Sequence, residues 1–450
     1  MKNIFFTTLF LLSLAFSSYA QQVSTMAKPP YNFTLQDCIN YAYEHQDTVL
    51  NANLDIKSAE YKVKETTGIG LPQISGSASF QDYVKIPTTL IPGQFFGQPA
   101  GTFIPVQFGV KYQSNLGLNL SQILFDGSYL VGLKASRTYK ELSLRNYTRS
   151  KIEARVNITK AYYQVLVSDE QIKLLDADIN QLKQQVDQTV AQNKQGFVER
   201  VDVQRIQVQY NNLVTTRENT IGLLALNYQL LKFQMGMPVN NQIMLTDKLE
   251  DIQLPNVADP VTDTTFYHNR IEYNLLETQK KLNELDVANK KAHFYPTLKF
   301  NGNYNSSYQD NSFSNLYSRN FPSSYIGLTL DVPIFNGMQH SNQLKQSKIA
   351  VLKSQNDLDN IKNGILLQAN AAQINYINGL KSLDNQKQNQ QLAQEVLRVS
   401  KIKYQQGVGS SIEVTQAQTA LEDSDNQYIQ ALYNALISKV DLDKAYGRIN

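Results

Sequence analysis

Leu116-Gly-Leu-Asn-Leu-Ser-Gln-Ile-Leu-Phe-Asp-Gly127 is repeated 210 residues later as Ile326-Gly-Leu-Thr-Leu-Asp-Val-Pro-Ile-Phe-Asn-Gly337. Two further landmarks repeat in the same order: Gly196, Val201 and Val203 return as Gly407, Ile412 and Val414, and Leu71-Pro72-Gln-Ile74 returns as Tyr295-Pro296-Thr-Leu298. Matches in constant order at nearly constant spacing mark a duplicated unit. The first copy carries about 14 extra residues between its first two landmarks. Each copy is read as two short alternating strands together with very long helices.

Four segments alternate in this way. Ile74, Gly76, Ala78 and Phe80 share one face, as do Leu116, Leu118 and Leu120; Leu298, Phe300, Gly302 and Tyr304; and Ile326, Leu328, Leu330 and Val332. The opposite faces carry Ser, Asn, Gln, Gly and Thr, with Lys299 and Asp331. Strand side chains point alternately to the two faces, so each segment has one apolar and one polar wall. A soluble antiparallel sheet lying on a core has that pattern, and so has a barrel with lipid outside and water inside. Tyr83, Tyr112, Phe125, Tyr308, Tyr325 and Phe335 near the segment ends fit the aromatic girdles of a barrel. Four strands cannot close a barrel, because the smallest have about eight. Open edges in lipid leave backbone groups unpaired, so a barrel here has to be shared between chains. The stretch 84–106 holds Pro87, Pro92, Pro99 and Pro105 and is expected to be an exposed outer loop without regular structure.

Long proline-free spans follow the strands, from Ser128 to Lys194 and from Met338 to Gln406. As helices each is about 100 Å long. Ile172, Leu175, Ile179, Leu182 and Val186 form a 3-4-3-4 seam, answered by Val203, Ile206, Tyr210 and Leu213. In the second copy the expected seam is Leu392, Val396 and Val399 with Val414, Ala417 and Leu421. Gly196 and Gly407 end the spans as left-handed caps, so each copy doubles back as a helical hairpin. The turns place Phe197, Val198 and Val408 where they either staple the turn or meet a partner. Thr34-Leu-Gln-Asp37 is a capping box starting a helix expected to run towards Lys64, with a counterpart from about Thr262 to His293.

The bulk numbers exclude several classes. Lys and Arg total 42 against 39 Asp and Glu, which offers no basic surface for nucleic acid. The single cysteine, Cys38, excludes an internal disulfide and a cysteine metal cluster. His45, His268, His293 and His340 have no ligand spacing, and no phosphate loop or nucleophile elbow occurs, so neither an enzyme nor a cofactor is expected. Lys2, the apolar run 4–16 and Ser18-Tyr-Ala20 read as a secretory signal over 1–20. Gln21 follows, where a lipid anchor would need Cys. After the signal no apolar run reaches the length of a membrane helix, about 18 residues.

Signal, duplicated strand pairs, duplicated hairpins and the turns Gly196-x-x-x-x-Val201-Asp202-Val203 and Gly407-x-x-x-x-Ile412-Glu413-Val414 together resemble the TolC-like outer-membrane efflux channels over nearly the whole chain. The resemblance implies an α+β membrane protein with internal duplication. Three chains would share a twelve-stranded transmembrane β-barrel, four strands each, continued by a long periplasmic α-helical barrel. The boundaries expected are a first repeat at 21–235 (strands about 73–83 and 110–124, hairpin 128–234), a linker at 236–261, and a second repeat at 262–450 (strands about 297–308 and 324–334, hairpin 338–448).

The implied function is passive conduction, as the outer-membrane exit duct of a tripartite efflux system. The implied partners are two further copies in a homotrimer, a periplasmic adaptor, an inner-membrane pump and outer-membrane lipid. Gly196, Phe197, Val198, Gly407, Val408 and Gly409 stand at the family's adaptor-docking tips. Asp202 and Tyr404 stand where a hydrogen bond would tie neighbouring hairpins shut, and Glu413 and Gln416 where family members place entrance acids. Glu413 is equally a first-turn acid favouring the helix dipole. Gly409 occupies a position that is basic in some members, so that latch is missing. A protein-secretion duct shares the architecture, and an exported coiled-coil stalk or adhesin is the reading from a different class.

Overall fold

A computed structural model describes residues 31–255 and 265–449; the signal segment with the residues up to 30, and 256–264 at the end of the linker and the start of the second repeat, lie outside the described residues. The elements in chain order are β1 (Tyr31–Phe33), α1 (Leu35–His45), α2 (Asp47–Ile69), β2 (Gln73–Asp82), β3 (Thr88–Pro92), β4 (Phe103–Gln107), β5 (Tyr112–Phe125), α3 (Gly127–Lys194), α4 (Arg200–Gln234), β6 (Ile243–Leu245), α5 (Ile271–Ala292), β7 (Thr297–Asp310), β8 (Asn320–Asp331), α6 (Gln339–Gln405) and α7 (Ser411–Ala445). They fall into two compact units that each draw on both sequence copies. One comprises the chain to Ala42, Ile158–Gln253 and Val396–Ile429; the other comprises Tyr43–Asn157, Leu254–Glu395 and Gln430–Asn450.

The second unit holds the four-stranded antiparallel sheet, in the order β2-β5-β7-β8. The register carries the alternation across every strand: Ile74 faces Leu120 and Gly302 faces Ile326, while Ser75 faces Asn119, which faces Asn303. On the polar wall Asn303 donates to Asn119 at 2.6 Å and Asn301 to Thr329 at 2.8 Å. Among the described residues nothing covers the apolar wall; Ile74, Leu118, Ile326, Leu328 and Leu330 are all exposed. β2 and β8 are the outer strands, each paired on one side only. A bulge between Ile123 and Phe125 brings Phe125 opposite Leu298, returning its ring to the apolar wall.

The repeated Phe-Asp-Gly and Phe-Asn-Gly stretches are the strand-to-helix joints. Asp126 Oδ1 accepts the backbone N–H groups of Ser128 at 2.8 Å and Tyr129 at 3.2 Å, an N-cap for α3. The second joint is built differently: Gly337 and Met338 both adopt positive φ, and Met338 is the only non-glycine residue to do so among the described residues. In the same unit, Phe266, Ile365, Ala369, Tyr376, Leu442 and Tyr446 belong to one buried core cluster. The Arg270 guanidinium donates there to the Ala445 carbonyl at 2.9 Å and to Glu272 at 2.9 Å.

In the first unit, β1 pairs in parallel with β6, so the start of the described chain grips the linker. Asp247 accepts the Leu35 N–H and the Tyr162 hydroxyl, both at 2.9 Å, fastening that sheet to α3. The capping box forms: Thr34 N–H donates to the Asp37 carboxylate at 3.0 Å and Asp37 N–H to the Thr34 hydroxyl at 3.2 Å.

Five expectations need correcting. The helix from Thr34 breaks at Gln46, which is extended (φ −74°, ψ 128°) and whose carbonyl accepts the first N–H groups of α2, with Asp47 favouring the new start. Its counterpart begins at Ile271 after a short 3-10 turn, Phe266–Asn269, and Thr262 itself lies outside the described residues. The proline-rich stretch 84–106 is not irregular, because β3 and β4 pair as a hairpin; both are edge strands, where a missing N–H costs nothing. Tyr325 pairs with Asn303 and so belongs to the polar wall rather than to a girdle. The α6 seam is Leu397, 1 % exposed, whereas Leu392 and Val396 point outward at 65 % and 54 %.

Candidate functional site

Both turns lie in the first unit and share one construction. At the end of α3, Gly196 takes φ 81°, its N–H bonds to Asn193 O at 3.0 Å and the Phe197 N–H to Gln192 O at 3.0 Å. At the end of α6, Gly407 takes φ 76°, with matching bonds from Gly407 to Tyr404 O and from Val408 to Lys403 O, both 3.0 Å. This is a Schellman cap, and a side chain at either glycine would be strained by the left-handed backbone. Gly409 is needed for a different reason. A Cβ there would stand 2.9 Å from Lys403 Cβ and 3.1 Å from Tyr404 N, against the last turn of α6.

The caps leave Phe197 and Val408 more than three-quarters exposed, while Val198 is half-buried and its carbonyl accepts from the Asn193 amide at 2.8 Å. Val201 and Ile412, in the first turns of the returning helices, are also exposed. Each tip therefore presents two apolar side chains, one from the turn and one from the helix behind it. The sequence repeat had paired Val201 with Ile412, but exposure at those positions depends on how the helices pack.

Asp202 joins the two returning helices. Its carboxylate accepts from Arg205 at 3.1 Å and from the Ser411 hydroxyl, and Arg205 also reaches Ser411 Oγ at 3.2 Å. Tyr404, the residue matched with Asp202, is not bonded to it within the chain; its hydroxyl is buried and lacks a partner. Burial raises the Tyr404 pKa, and the charge of Asp202 adds to that. Tyr404 and Lys401 border a cavity of 220 Å³ whose other wall is a glutamine row on α3, including Gln184, Gln185, Gln188 and Gln192. Burial lowers the Lys401 pKa to about 8, opposed by the charge of Asp178.

Asp178 on α3 is itself buried against Asp425 on α7. Burial raises the Asp178 pKa to about 7; the adjacent Asp425, hydrogen-bonded to it, and Glu422 push the same way, and Lys401 pulls back. Sequence reasoning missed this group, since the acids are nearly 250 positions apart and only packing brings them together. Glu413 and Gln416 are exposed, one turn apart on α7, and the Glu413 N–H is capped by the Ser410 hydroxyl at 3.2 Å. No group of acids, histidines or cysteines with metal-site geometry occurs among the described residues. No helix among them is long and apolar enough to cross a membrane.

The chain is similar in sequence to known proteins at the level of family. The profile of the family described as outer membrane efflux protein matches residues 38–224 and 276–448. The outer membrane protein TolC of Salmonella enteritidis is 22 % identical over 351 residues, covering 75 % of this chain and 70 % of that protein. TolC of Vibrio cholerae is 20 % identical over 337 residues, covering 74 % and 76 %. Among solved structures, CusC superposes with a TM-score of 0.75 at 16 % identity, covering 92 % of each chain. The open state of the MtrE outer membrane channel of Neisseria gonorrhoeae superposes with a TM-score of 0.72 at 15 % identity, covering 92 % of this chain and 88 % of that one. A sheet with one bare apolar wall, two capped helical hairpins and a family match over both copies lead to one conclusion: the chain belongs to the outer membrane efflux protein family and is an outer-membrane efflux channel.

Proposed function

We propose that three copies pool their sheets into a twelve-stranded barrel, and that the helical hairpins of the trimer form the periplasmic duct of a tripartite efflux system. The observation that carries this reading is the sheet β2-β5-β7-β8, which has an exposed apolar wall and an unpaired edge on each outer strand. In lipid those edges have to be paired, and the cheapest donor of a matching edge is another copy. Small molecules then pass through a lumen lined by Asn, Ser and Thr, driven by an inner-membrane pump rather than by this chain.

The tips Gly196-Phe197-Val198 and Gly407-Val408-Gly409 are the proposed adaptor contacts, since they hold rigid caps and expose Phe197 and Val408. Asp202, Tyr404, Glu413 and Gln416 are the proposed gate. Within the chain Asp202 is already engaged, whereas Tyr404 keeps an unused hydroxyl; the tie it makes is to a neighbouring chain. Opening would part the second hairpin from its neighbour and expose that hydroxyl to water.

Detergent extraction from outer membranes followed by native mass measurement tests the assembly. A trimer that resists dissociation until heated is expected, and a monodisperse monomer soluble without detergent would instead support an exported stalk. In planar bilayers, Asp202→Ala with Tyr404→Phe should raise resting conductance several-fold. Unchanged conductance would remove both residues from the gate.

A further inference from the structure

Residues 86–110 contain no Asp, Glu, Lys, Arg or His, in a chain that is 18 % charged. They include the β3–β4 hairpin, the insertion that lengthens the first sequence copy. Leu90, Phe95, Phe96, Phe103 and Phe108 are each more than half exposed there. So much apolar surface on one small hairpin marks a contact site.

The surroundings of the hairpin name its occupant. The hairpin leaves the sheet between Asp82 and Tyr112, at the end opposite the helix joints. At that end Phe80, Tyr112 and Phe313 pack together, with centroids 5.7–6.3 Å apart; Phe80 and Tyr112 stand on the apolar wall. An aromatic cluster ending an apolar wall is how a barrel marks the membrane interface. Two cations bracket the hairpin immediately beyond it. Lys111 lies 4.9 Å over the Tyr112 ring and close to Asp82, whereas Lys85 has no ion-pair partner among the described residues. An aromatic rim, lysines and a charge-free apolar segment in that order match the boundary of a phosphate-bearing lipid leaflet.

Depth follows from the backbone. A two-stranded hairpin has two open edges, which hydrocarbon does not tolerate, but the hydrated headgroup layer does. Pro87, Pro92, Pro99 and Pro105 reduce the number of N–H groups left to satisfy. Contact with the same hairpin of another copy would satisfy the aromatics equally well, yet it would bring the unpaired Lys85 of each copy together.

We propose that the β3–β4 hairpin lies in the headgroup layer of the outer leaflet, with its phenylalanines towards the acyl boundary and Lys85 on lipid phosphate. This rests on the barrel reading above. Full-length Phe96→Cys is labelled with bimane; Cys38 is buried, its thiol pushed up to about 12, and stays unlabelled. The protein is placed in vesicles of phosphatidylethanolamine and phosphatidylglycerol containing nitroxide-bearing lipid, after its trimer mass and conductance are checked.

Nitroxide lipid should quench the Phe96 probe several-fold more than a Ser318→Cys probe in the short second loop, and aqueous iodide should do the reverse. Lys85→Gln should weaken lipid quenching, and more in these anionic vesicles than in zwitterionic phosphatidylcholine, whose phosphate is offset by choline. A trimer whose Phe96 probe is quenched by iodide as strongly as Ser318 overturns the proposal while leaving the barrel standing. Disulfide-linked subunits formed by unlabelled Phe96→Cys would assign the hairpin to a second copy and also overturn it. Loss of nothing on Lys85→Gln overturns the phosphate contact. A lipid-free monomer sinks barrel and hairpin together.

Discussion

Behind its turn, the first hairpin closes on Leu175, Leu182 and Val186 of α3 against Ile206 and Leu213 of α4, an unbroken apolar seam. The second hairpin buries Leu397, Val414, Ala417 and Leu421, but α6 then turns Lys401 and Tyr404 onto the glutamines of α3. The two hairpins descend from one repeat and carry the same cap, so the contrast lies in what fills the space behind it. Apolar seams are non-directional and costly to part. Polar contacts can be exchanged for water or for a partner at small net cost. Each hairpin is thus closed internally by apolar residues, while the contact between α6 and α3 at Lys401 and Tyr404 is polar.

The strongest way to break this comparison is Leu182→Ala. Leu182 is 1 % exposed, and its truncation should cost about 2–5 kcal/mol. Lowered thermal stability and faster hydrogen exchange in α3 and α4 would register it; an effect no larger than that of Leu392→Ala, on the outward face of α6, would mean that the seam is not what fixes the first hairpin. Tyr404→Phe, taken alone, should cost the trimer only about 0.5–1.5 kcal/mol, the net worth of one hydrogen bond to a neighbouring chain, because the hydroxyl has no partner within its own chain. Resting conductance should still rise. A trimer no less stable than the wild type would show that the hydroxyl makes no tie to a neighbour.

Next in size is a pH effect on the group joining the two hairpins. The folded-state pKa of Asp178 lies at about 7, above the ordinary carboxylate range. The folded chain therefore holds a proton that the unfolded chain releases near pH 4, roughly the unperturbed carboxylate value. Stability from this group is full below that value, declines as pH rises towards 7 and is spent above it. Protection factors in α7, corrected for the intrinsic pH dependence of amide exchange, should accordingly fall between pH 5 and about 7.5. Asp178→Asn, neutral throughout, should flatten the profile, and an unchanged slope would place its origin elsewhere.

The smallest effect sharpens the comparison from the other side. Gly196→Ala and Gly407→Ala each force a side chain into the left-handed region, at about 1–2 kcal/mol. Equal losses are expected because the caps are identical. Unequal losses, measured by thermal unfolding, would mean that the tips differ in backbone strain as well as in packing.

Much of the fold was legible because it is periodic. Alternation placed all four long strands within a few residues of their observed ends, and the absence of proline outlined α3 and α6. The misreadings came where two residues were equally good locally. Val396 and Leu397 are adjacent and both apolar, and only the roll of α6 buries Leu397. Prolines in 84–106 signalled a loop, but a two-stranded hairpin has outward-facing positions that need no donor. Of the candidate site, the turn glycines and Asp202 were visible as a repeat, whereas Arg205 and Ser411 were not, because their meeting depends on tertiary geometry.

By itself the sequence determined the periods: strand alternation, long helices, glycine caps and the duplication that orders them, all local properties of neighbouring residues. Only the tertiary structure decided which residues separated along the chain share a site. It set Asp178 against Asp425, engaged Asp202 with Ser411 and left the Tyr404 hydroxyl alone. The reason is physical: periodicity fixes which face a residue occupies, but the rotation and offset of one helix against another are set by packing summed over their whole length.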